Sequence, residues 1–367
     1  MTTSAADPGL APAAPALDEA AAPWRRTPWL GLLFALVVGV LLPLVLARLS
    51  FGNYILHLMM LFFVWSVVAQ CWNLIMGYGG IYSFAQVALL AVGGWTTAVL
   101  ATSFHWNPWL SIALAPVGAT LAALFVGLPT LRLRGAYVVL LTLAFHELLR
   151  TYTISGPPMI SAGGYGLTSV PKFDFGDLGG PNKLVLFYYV GLALFAVATY
   201  AVWRIIRSPF GVAVVALRDS ETYAVSRGID QFRVRLFLFG FSAFFTGLAG
   251  GVMTHYLGSI STSIFEFGQL INVLAMIVIG GWASFEGPIF GAALLIGLNE
   301  WLRDLGDFRV LVLGLTLAVI SVFAPQGVYP VLRRRLGRLL GSDDGGAGAA
   351  ATGPVDPPLA ASSQRQP

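Results

Sequence analysis

The largest group of charged residues between two apolar runs lies over residues 207–235. Within it, residues 211–227 repeat with helical periodicity, so that apolar side chains share one side and charged ones such as Arg218 and Glu221 share the other. Gly228 follows in the position of a helix-ending glycine. A short amphipathic helix of this kind either lies on lipid or docks into a soluble partner. Because its polar side mixes acids with bases, the sequence favours docking.

Two adjacent titratable residues, His146 and Glu147, interrupt a long apolar run. Charged side chains are rare inside apolar spans and usually face the interior of a helix bundle, so this pair could line a substrate path or relay protons. The favoured alternative is that Glu147 forms an ion pair with Arg150, one turn further on. Glu300 is likewise expected to pair with Arg303 at the end of a later apolar run.

Two glycine-rich breaks, at residues 77–80 and 280–287, divide other apolar runs. Breaks of this kind can expose backbone polar groups to a cavity, as in the discontinuous helices of transporters. Uncharged polar residues in such runs are more often hydrogen-bond partners between helices than ligand contacts. Glu286 is expected to cap the helix after the second break. The candidates for lining a substrate pathway are Ser83, Gln86, Thr142, Glu147, Gly280 and Gly281.

Composition excludes most classes of soluble protein. Of the 367 residues, 57% are hydrophobic and only 10% are charged, against about 25% charged in an ordinary soluble domain. So little charge cannot cover a soluble globule, which excludes most soluble enzymes, disordered proteins and nucleic-acid binders. The apolar runs are continuous and about 17–25 residues long, which favours membrane-spanning helices over a β-barrel. The single cysteine, Cys71, allows no intrachain disulfide.

The sequence therefore predicts an all-α, polytopic transmembrane helical bundle with about ten spans, or roughly eight to ten, some of them short or broken. Cytoplasmic loops carry an excess of Arg and Lys, which places residues 207–235, the cluster at 333–338 and both termini in the cytoplasm. An even number of crossings must then separate the two basic segments, so residues 270–303 form two short spans or a re-entrant pair. The expected spans are 29–46, 54–76, 81–101 (interrupted at Gly93-Gly94), 109–131, 136–152, 184–206, 236–257, two within 270–303, and 308–323.

Several motifs occur along the chain in an informative order. Glu221-Thr222-Tyr223-Ala224, followed by Gly228, resembles the Glu-Ala-Ala…Gly signature of the cytoplasmic coupling loop in ABC importer permeases. The other motifs are LRLRGAY at 131–137, GGYGLT at 163–168, SPFG at 208–211, ALRD at 216–219, HYLG at 255–258 and GPIFGA at 287–292. Together, this ordered set resembles the branched-chain amino acid ABC permeases of the LivM type, over about three quarters of the chain.

The resemblance implies a permease subunit of an ABC importer in the bacterial inner membrane, translocating branched-chain amino acids or a similar small polar solute. It implies no cofactor and no nucleic-acid partner, but two separate ABC ATPase subunits, a second homologous permease subunit, a periplasmic or extracytoplasmic solute-binding protein and membrane lipid. The chain itself has no P-loop, since neither of its lysines, Lys172 and Lys183, follows the needed glycine. The residues assigned to ATPase coupling are Gly211, Arg218, Asp219, Glu221, Ala224 and Gly228.

Three parts are expected: a disordered cytoplasmic tail over 1–27, a membrane permease domain over 28–327 with its coupling loop at 207–235, and a basic, then disordered, cytoplasmic tail over 328–367. One departure from the family bears on the substrate. Where relatives typically have Gly-Gln-Leu-Ser-Leu-Gly-His, this chain reads GIYSFAQ, ending at Gln86. If that segment lines the pathway, the solute could be urea, a short amide or another small carboxylate. An ion-coupled secondary transporter that uses His146-Glu147 is the alternative from another class.

Overall fold

Helices make up the regular structure of the part of the chain that can be described. The computed structural model describes residues 51–133, 135–157, 165–173 and 181–306, with scattered positions within 39–43 and 308–329. Within these residues the one β-type pairing is an isolated antiparallel bridge between Leu167 and Ile260. The α-helices are α1 (Gly52–Asn73), α2 (Gln86–Ser103), α3 (Pro108–Thr130), α4 (Ala136–Ser155), α5 (Pro181–Ile206), α6 (Pro209–Asp219), α7 (Glu221–Ser226), α8 (Gln231–Leu257), α9 (Phe267–Gly280) and α10 (Gly287–Trp301).

Five described helical segments are long and apolar enough to cross a membrane. The prediction of an all-α bundle with apolar spans is confirmed to that extent, and the number of about ten stays a prediction. The predicted span over 29–46 and the predicted tails lie outside the described residues, apart from isolated positions, as does most of the predicted span over 308–323. The five segments are Gly52–Tyr78, Gln86–Ser103, Pro108–Thr130, Lys183–Ile206 and Gln231–Leu257.

The span predicted over 81–101 differs from the structure at its start and in its middle. Helix α2 begins only at Gln86, and it runs unbroken through Gly93 and Gly94. A Cβ atom on Gly93 would lie 2.2 Å from the carbonyl oxygen of Gly247 in α8. The glycine pair therefore allows two helix backbones to pack closely and does not interrupt the helix, so that part of the prediction is wrong.

Helix α1 joins two groups of packed helices. Helices α2, α3 and α8 pack extensively against one another, and α1 packs against α5 and against the pair formed by α9 and α10. Helix α1 also contacts α8, so one core continues through both groups. Trp72, Leu90 and Val273, from α1, α2 and α9, are fully buried in that core.

Helices α9 and α10 form a tight pair around the second glycine-rich break. They have 14 and 15 residues and are separated at this break, as the predicted pair of short segments would be, and their crossing of the membrane stays a prediction. Gly281 adopts a φ of +122°, and a Cβ atom on Gly280 would lie 1.9 Å from the carbonyl oxygen of Gly287. Glu286 occupies the N-cap of α10 as expected, but its side chain makes no capping hydrogen bond.

Candidate functional site

The two glycine-rich breaks, far apart in sequence, meet in the structure. The side chain of Asn73, at the end of α1, donates from Nδ2 to the carbonyl oxygen of Ser284 at 2.8 Å and accepts at Oδ1 from the backbone N–H of Ala283 at 3.0 Å. A Cβ atom on Gly77 would lie 2.8 Å from the Ala283 nitrogen. One buried amide thus satisfies the exposed backbone of the second break and fastens it to the first.

Beyond Asn73 the first break is a π-helical turn, Leu74–Tyr78, followed by a non-helical segment that leads to α2. Neighbouring helices hold this segment. The indole Nε1 of Trp72 donates to the carbonyl oxygen of Ser83 at 2.7 Å, and the backbone N–H of Phe84 donates to Oγ1 of Thr142 at 2.9 Å. The predicted pathway residues Ser83 and Thr142 therefore lie together, both buried.

Arg218, at the end of α6, reaches into the first break. Its Nη1 donates to the carbonyl oxygen of Gly77 at 3.0 Å, and its stem lies against Gly80, where a Cβ atom would be 2.6 Å from Cγ of Arg218. Gly80 has a φ of +65°, a backbone conformation that favours glycine. Arg218 also forms an ion pair with Asp219 at 2.9 Å. The sequence placed Arg218 on an outer charged side, whereas the structure turns it towards the bundle.

The polar stretch forms two helices, not the one predicted over 211–227. Ser220, between α6 and α7, has extended backbone (φ −155°, ψ 99°), and its Oγ accepts from the backbone N–H of Tyr223 at 3.4 Å, so it caps α7. Ser residues favour this role because a side-chain oxygen satisfies an unpaired N–H of the first turn. Gly228 has a φ of +84°, which agrees with its predicted place after the end of the helix.

Glu221 and Arg235 tie α7 to the start of α8. Arg235 Nη2 lies 3.2 Å from Glu221 Oε2, and the two side chains retain only 19% and 26% of their full exposure. Exposed apolar side chains project from the same stretch, among them Val212, Tyr223 and Val225. We name the segment from Pro209 to Gly228 the docking segment, since its outer surface combines apolar and charged groups.

A cavity of about 270 Å³ lies between the docking segment and the first break. Its lining includes Gly79, Gly80, Arg218, Glu221 and Arg235. The coupling residues predicted on α6 and α7 and the glycines predicted at the break thus share one cavity wall. Of the other predicted coupling residues, Gly211 and Ala224 are buried at the inner side of the docking segment, and Asp219 is exposed.

Gln86, a predicted pathway residue, bonds between helices. Its Nε2 donates to Oγ of Ser242 at 2.9 Å and also to Oγ1 of Thr246, both on α8, and Ser242 Oγ donates to the carbonyl oxygen of Cys71 at 2.9 Å. Every member of this network is buried. This is the interhelical role expected of most such polar residues.

His146 and Glu147, although adjacent in sequence, lie in different environments. The buried His146 ring contacts the carbonyl oxygen of Phe265 through Nε2 at 2.9 Å. Glu147 is 58% exposed and forms an ion pair with Arg150 at 2.8 Å, the favoured interpretation of its sequence. Glu300 and Arg303 also lie together, at 3.5 Å.

Sequence reasoning gave no special role to Asn73 or Trp72, which hold the two broken segments. The signal was faint but present. Asn73 lies four residues before Gly77, and helix positions four apart share one face. A polar amide one turn before a glycine-rich break is therefore a candidate partner for the backbone groups that the break exposes.

The structure combines apolar spans, two broken segments held together and a polar segment bonded to one of them, features typical of a membrane transport protein. A sequence model of the family described as branched-chain amino acid transport system / permease component matches residues 54–322. The chain belongs to this family. Its members are permease subunits of ABC transporters in the inner membrane and work with ATPase and substrate-binding partners. No solved structure matches the chain significantly.

Curated relatives agree with this assignment. The chain is 32% identical over 292 residues to the high-affinity branched-chain amino acid transport system permease protein LivM of Salmonella typhimurium and to that of Escherichia coli, covering 74% of this chain and 67% of each relative. It is 28% identical over 280 residues to a probable permease protein LivH of Methanocaldococcus jannaschii, covering 70% of this chain and 86% of the relative. The guanosine ABC transporter permease protein NupQ of Bacillus subtilis is 24% identical over 245 residues, covering 62% and 75%.

Proposed function

We propose that this chain translocates branched-chain amino acids, or a similar small polar solute, into the cell. Two separate ATPase subunits dock on the cytoplasmic side, and a second homologous permease subunit and an external solute-binding protein complete the importer. We also propose that the chain crosses the membrane about ten times and that both of its termini lie in the cytoplasm. The observation that carries it is the hydrogen bond from Arg218 to the Gly77 carbonyl, since it connects the docking segment directly to the broken helix.

The contacts suggest a route for coupling. Displacement of the docking segment pulls on the Gly77 carbonyl through Arg218. Gly77 lies one turn from Asn73, whose amide holds both Ala283 and Ser284. Movement at the docking segment is therefore transmitted to both breaks together, and the segments that they join form the gate of the translocation path.

The ATPase contacts the exposed face of the docking segment. Tyr223 and Val225 supply an apolar surface, and Asp219, four residues before Tyr223 in the chain, has 61% of its side chain exposed. Glu221 has a different role here, because its ion pair with Arg235 fixes α7 to α8. Gly228 allows the chain to turn back towards α8 immediately after that surface.

Four of the predicted pathway residues belong to the region where the breaks meet or to its direct contacts. Ser83 follows the first break, Thr142 binds the backbone next to it, and Gly280 and Gly281 begin the second. The proposed pathway passes this region. The replacement of His by Gln86 is not an argument for another solute, because the Gln86 amide donates its hydrogen bonds to Ser242 and Thr246 on α8.

The ion-coupled alternative would need a relay through His146 and Glu147. Glu147 is paired with Arg150 at the surface of the bundle, and His146 contacts a backbone carbonyl. These two contacts give the pair no shared polar partner among the described residues. Urea, short amides and other small carboxylates remain the alternative substrates within the same type of importer.

Uptake by proteoliposomes tests the proposal. The full chain is reconstituted with the second permease, the ATPase subunits and the binding protein of its transporter, and radiolabelled L-leucine, L-isoleucine, L-valine and urea are compared. We expect uptake of the three amino acids that requires ATP and resists a protonophore. Uptake that a protonophore abolishes and ATP removal leaves intact would contradict the ABC mechanism. Uptake of urea alone would reassign the substrate.

A matched pair of variants at Gly228 tests the docking surface. A Cβ atom at this position would meet nothing within 4 Å, so Gly228→Ala adds only the backbone strain of a positive φ, about 1–2 kcal/mol. Gly228→Trp adds the same strain and a bulky ring. We expect the Trp variant, and not the Ala variant, to release the ATPase on affinity purification while both remain in the membrane. Equal ATPase recovery with both would remove this surface from the interface.

A further inference from the structure

A second cavity, of about 310 Å³, lies at the opposite end of α1 from the docking segment. Its walls come from the first half of α1, the start of α9 and the end of α10. Sites for small molecules in proteins occupy roughly 300–1,000 Å³, so this cavity is large enough for a small metabolite. None of the residues that couple the docking segment to the breaks contributes to its lining.

One side of the cavity carries two opposite charges. Glu300 and Arg303 are 3.5 Å apart, with 32% and 63% of their side chains exposed. An exposed pair at this distance contributes little free energy, so each partner can exchange the other for a ligand group. Arg303 uses Nη1 both for Glu300 and for the hydroxyl of Tyr54, which leaves Nη2 and Nε to a carboxylate.

Amide side chains line the space beside the charges. Among the described residues the structure gives the side chains of Gln269 and Asn272 no hydrogen-bond partner, although both are half-buried. Asn299 donates from Nδ2 to the carbonyl oxygen of Leu295 in its own helix, which leaves Oδ1 available as an acceptor. Amides that reach the cavity without a partner in the protein are free to bind water or a ligand.

The remaining wall is apolar. Leu61 and Trp65 approach from α1, and Met276 and Ile296 from α9 and α10. Met and Trp side chains make contact surfaces that tolerate aliphatic groups of different shapes. The lining therefore offers a partner for an anion, a partner for a cation, neutral amides and an apolar surface around one open cavity.

We infer that this cavity binds the zwitterion of an α-amino acid with a short apolar side chain. Glu300 accepts the ammonium group, Arg303 binds the carboxylate, Gln269 and Asn299 complete their hydrogen bonds, and the aliphatic group lies against Trp65. The assignment rests on the proposed function, which places this end of the bundle at the outer face, where the binding protein delivers its solute. A neutral solute such as urea would leave both charges without a partner.

Cysteine protection tests the site directly. Cys71, the one cysteine of the chain, is fully buried, so this subunit gives a low background with a membrane-impermeant maleimide when its labelling is read separately from that of its partners in the complete transporter. Asn272→Cys places a thiol in the cavity, and Gly268→Cys places one on the same helix at an exposed position with nothing within 4 Å. The labelling rate of each variant is measured with and without L-leucine, in the absence of ATP and binding protein.

We expect L-leucine at about ten times its dissociation constant to slow labelling of Asn272→Cys about tenfold, as simple occupancy requires. Labelling of Gly268→Cys should not change. Isoamylamine, which lacks the carboxylate, and urea should not protect at the same concentration. Adding Glu300→Gln to Asn272→Cys should abolish protection and leave the unprotected labelling rate unchanged.

Several outcomes would overturn the site. They are labelling of Asn272→Cys that L-leucine does not slow, no labelling of Asn272→Cys at all, and equal protection by L-leucine and isoamylamine. Uptake measured on the Gly268→Cys transporter separates this failure from that of the proposed function. Normal amino acid uptake without protection rejects the cavity alone, whereas protection without ATP-driven uptake of amino acids retains the cavity and rejects the importer.

Discussion

Nη1 of Arg218 lies 3.0 Å from the carbonyl oxygen of Gly77, a hydrogen bond between residues 141 positions apart in the sequence. It joins a polar segment outside the apolar spans to the end of Gly52–Tyr78, one of the two longest described apolar segments. An arginine is suited to this contact, because its planar guanidinium can hold a carbonyl oxygen and the neighbouring Asp219 carboxylate together. In the proposed coupling route, this contact makes the docking segment part of the gate and not merely an attachment point.

Arg218→Gln should separate ATP hydrolysis from transport. Gln keeps an amide donor but is shorter and uncharged, so both the Gly77 bond and the Asp219 ion pair are lost or weakened. We expect near-normal ATPase activity in the reconstituted transporter and at least about a tenfold loss of uptake, which corresponds to roughly 1.4 kcal/mol. Arg233→Gln is the control, since Arg233 is 86% exposed and its one ion pair among the described residues is with Asp230. An unchanged ratio of solute to ATP would contradict the coupling route.

Reversing one charge between α7 and α8 should weaken the ATPase interaction, and reversing both should restore it. Glu221→Lys puts two cations where Arg235 and Glu221 now lie 3.2 Å apart, and like charges at this distance repel. The double variant Glu221→Lys/Arg235→Glu recreates the ion pair in the opposite sense. Recovery of the ATPase on affinity purification is the measurement. If Glu221 contacts the ATPase directly, the double variant will fail as the single one does.

Asn73→Ala should loosen the two breaks from each other. It removes two hydrogen bonds and leaves the backbone N–H of Ala283 and the carbonyl of Ser284 without this partner, at a cost of about 1–3 kcal/mol. We expect reduced uptake and faster hydrogen exchange at residues 281–286. The matched control is Gln70→Ala, because Gln70 is a buried amide one turn earlier whose bond goes to Thr199 in α5. Similar loss of uptake in both variants would indicate general destabilisation of α1.

Gly250→Ala should destabilise the bundle without touching either break. A Cβ atom on Gly250 would lie 2.0 Å from the carbonyl oxygen of Leu90, so α2 and α8 must move apart. Overpacking of this kind typically costs about 1–3 kcal/mol. The matched control is Gly240→Ala in the same helix, where the nearest atom would be 3.7 Å away. Thermal unfolding in detergent should show a lower midpoint for the first variant only.

The sequence predicted features that depend on local chemistry. Gly228 and the break between α9 and α10 were recognisable because glycine and proline act on the backbone wherever they occur. The division of the docking segment at Ser220 was missed, since helical periodicity continues across it while the serine caps a new helix. The direction of Arg218 could not be predicted, because it depends on a carbonyl that is exposed only when α1 breaks. Gly93 was misread for a related reason, since its partner Gly247 lies in a distant helix.

The division of the docking segment at Ser220 has a mechanical consequence. Helix α6 is fastened to the first break through Arg218, and α7 is fastened to α8 through Glu221. In the proposed coupling route, a movement of the ATPase therefore reaches the bundle through two separate contacts, one on each side of Ser220. If α6 and α7 rotate by different amounts about Ser220, α1 slides against α8. The angle between α6 and α7 at Ser220 then determines how far a given movement of the ATPase displaces the gate.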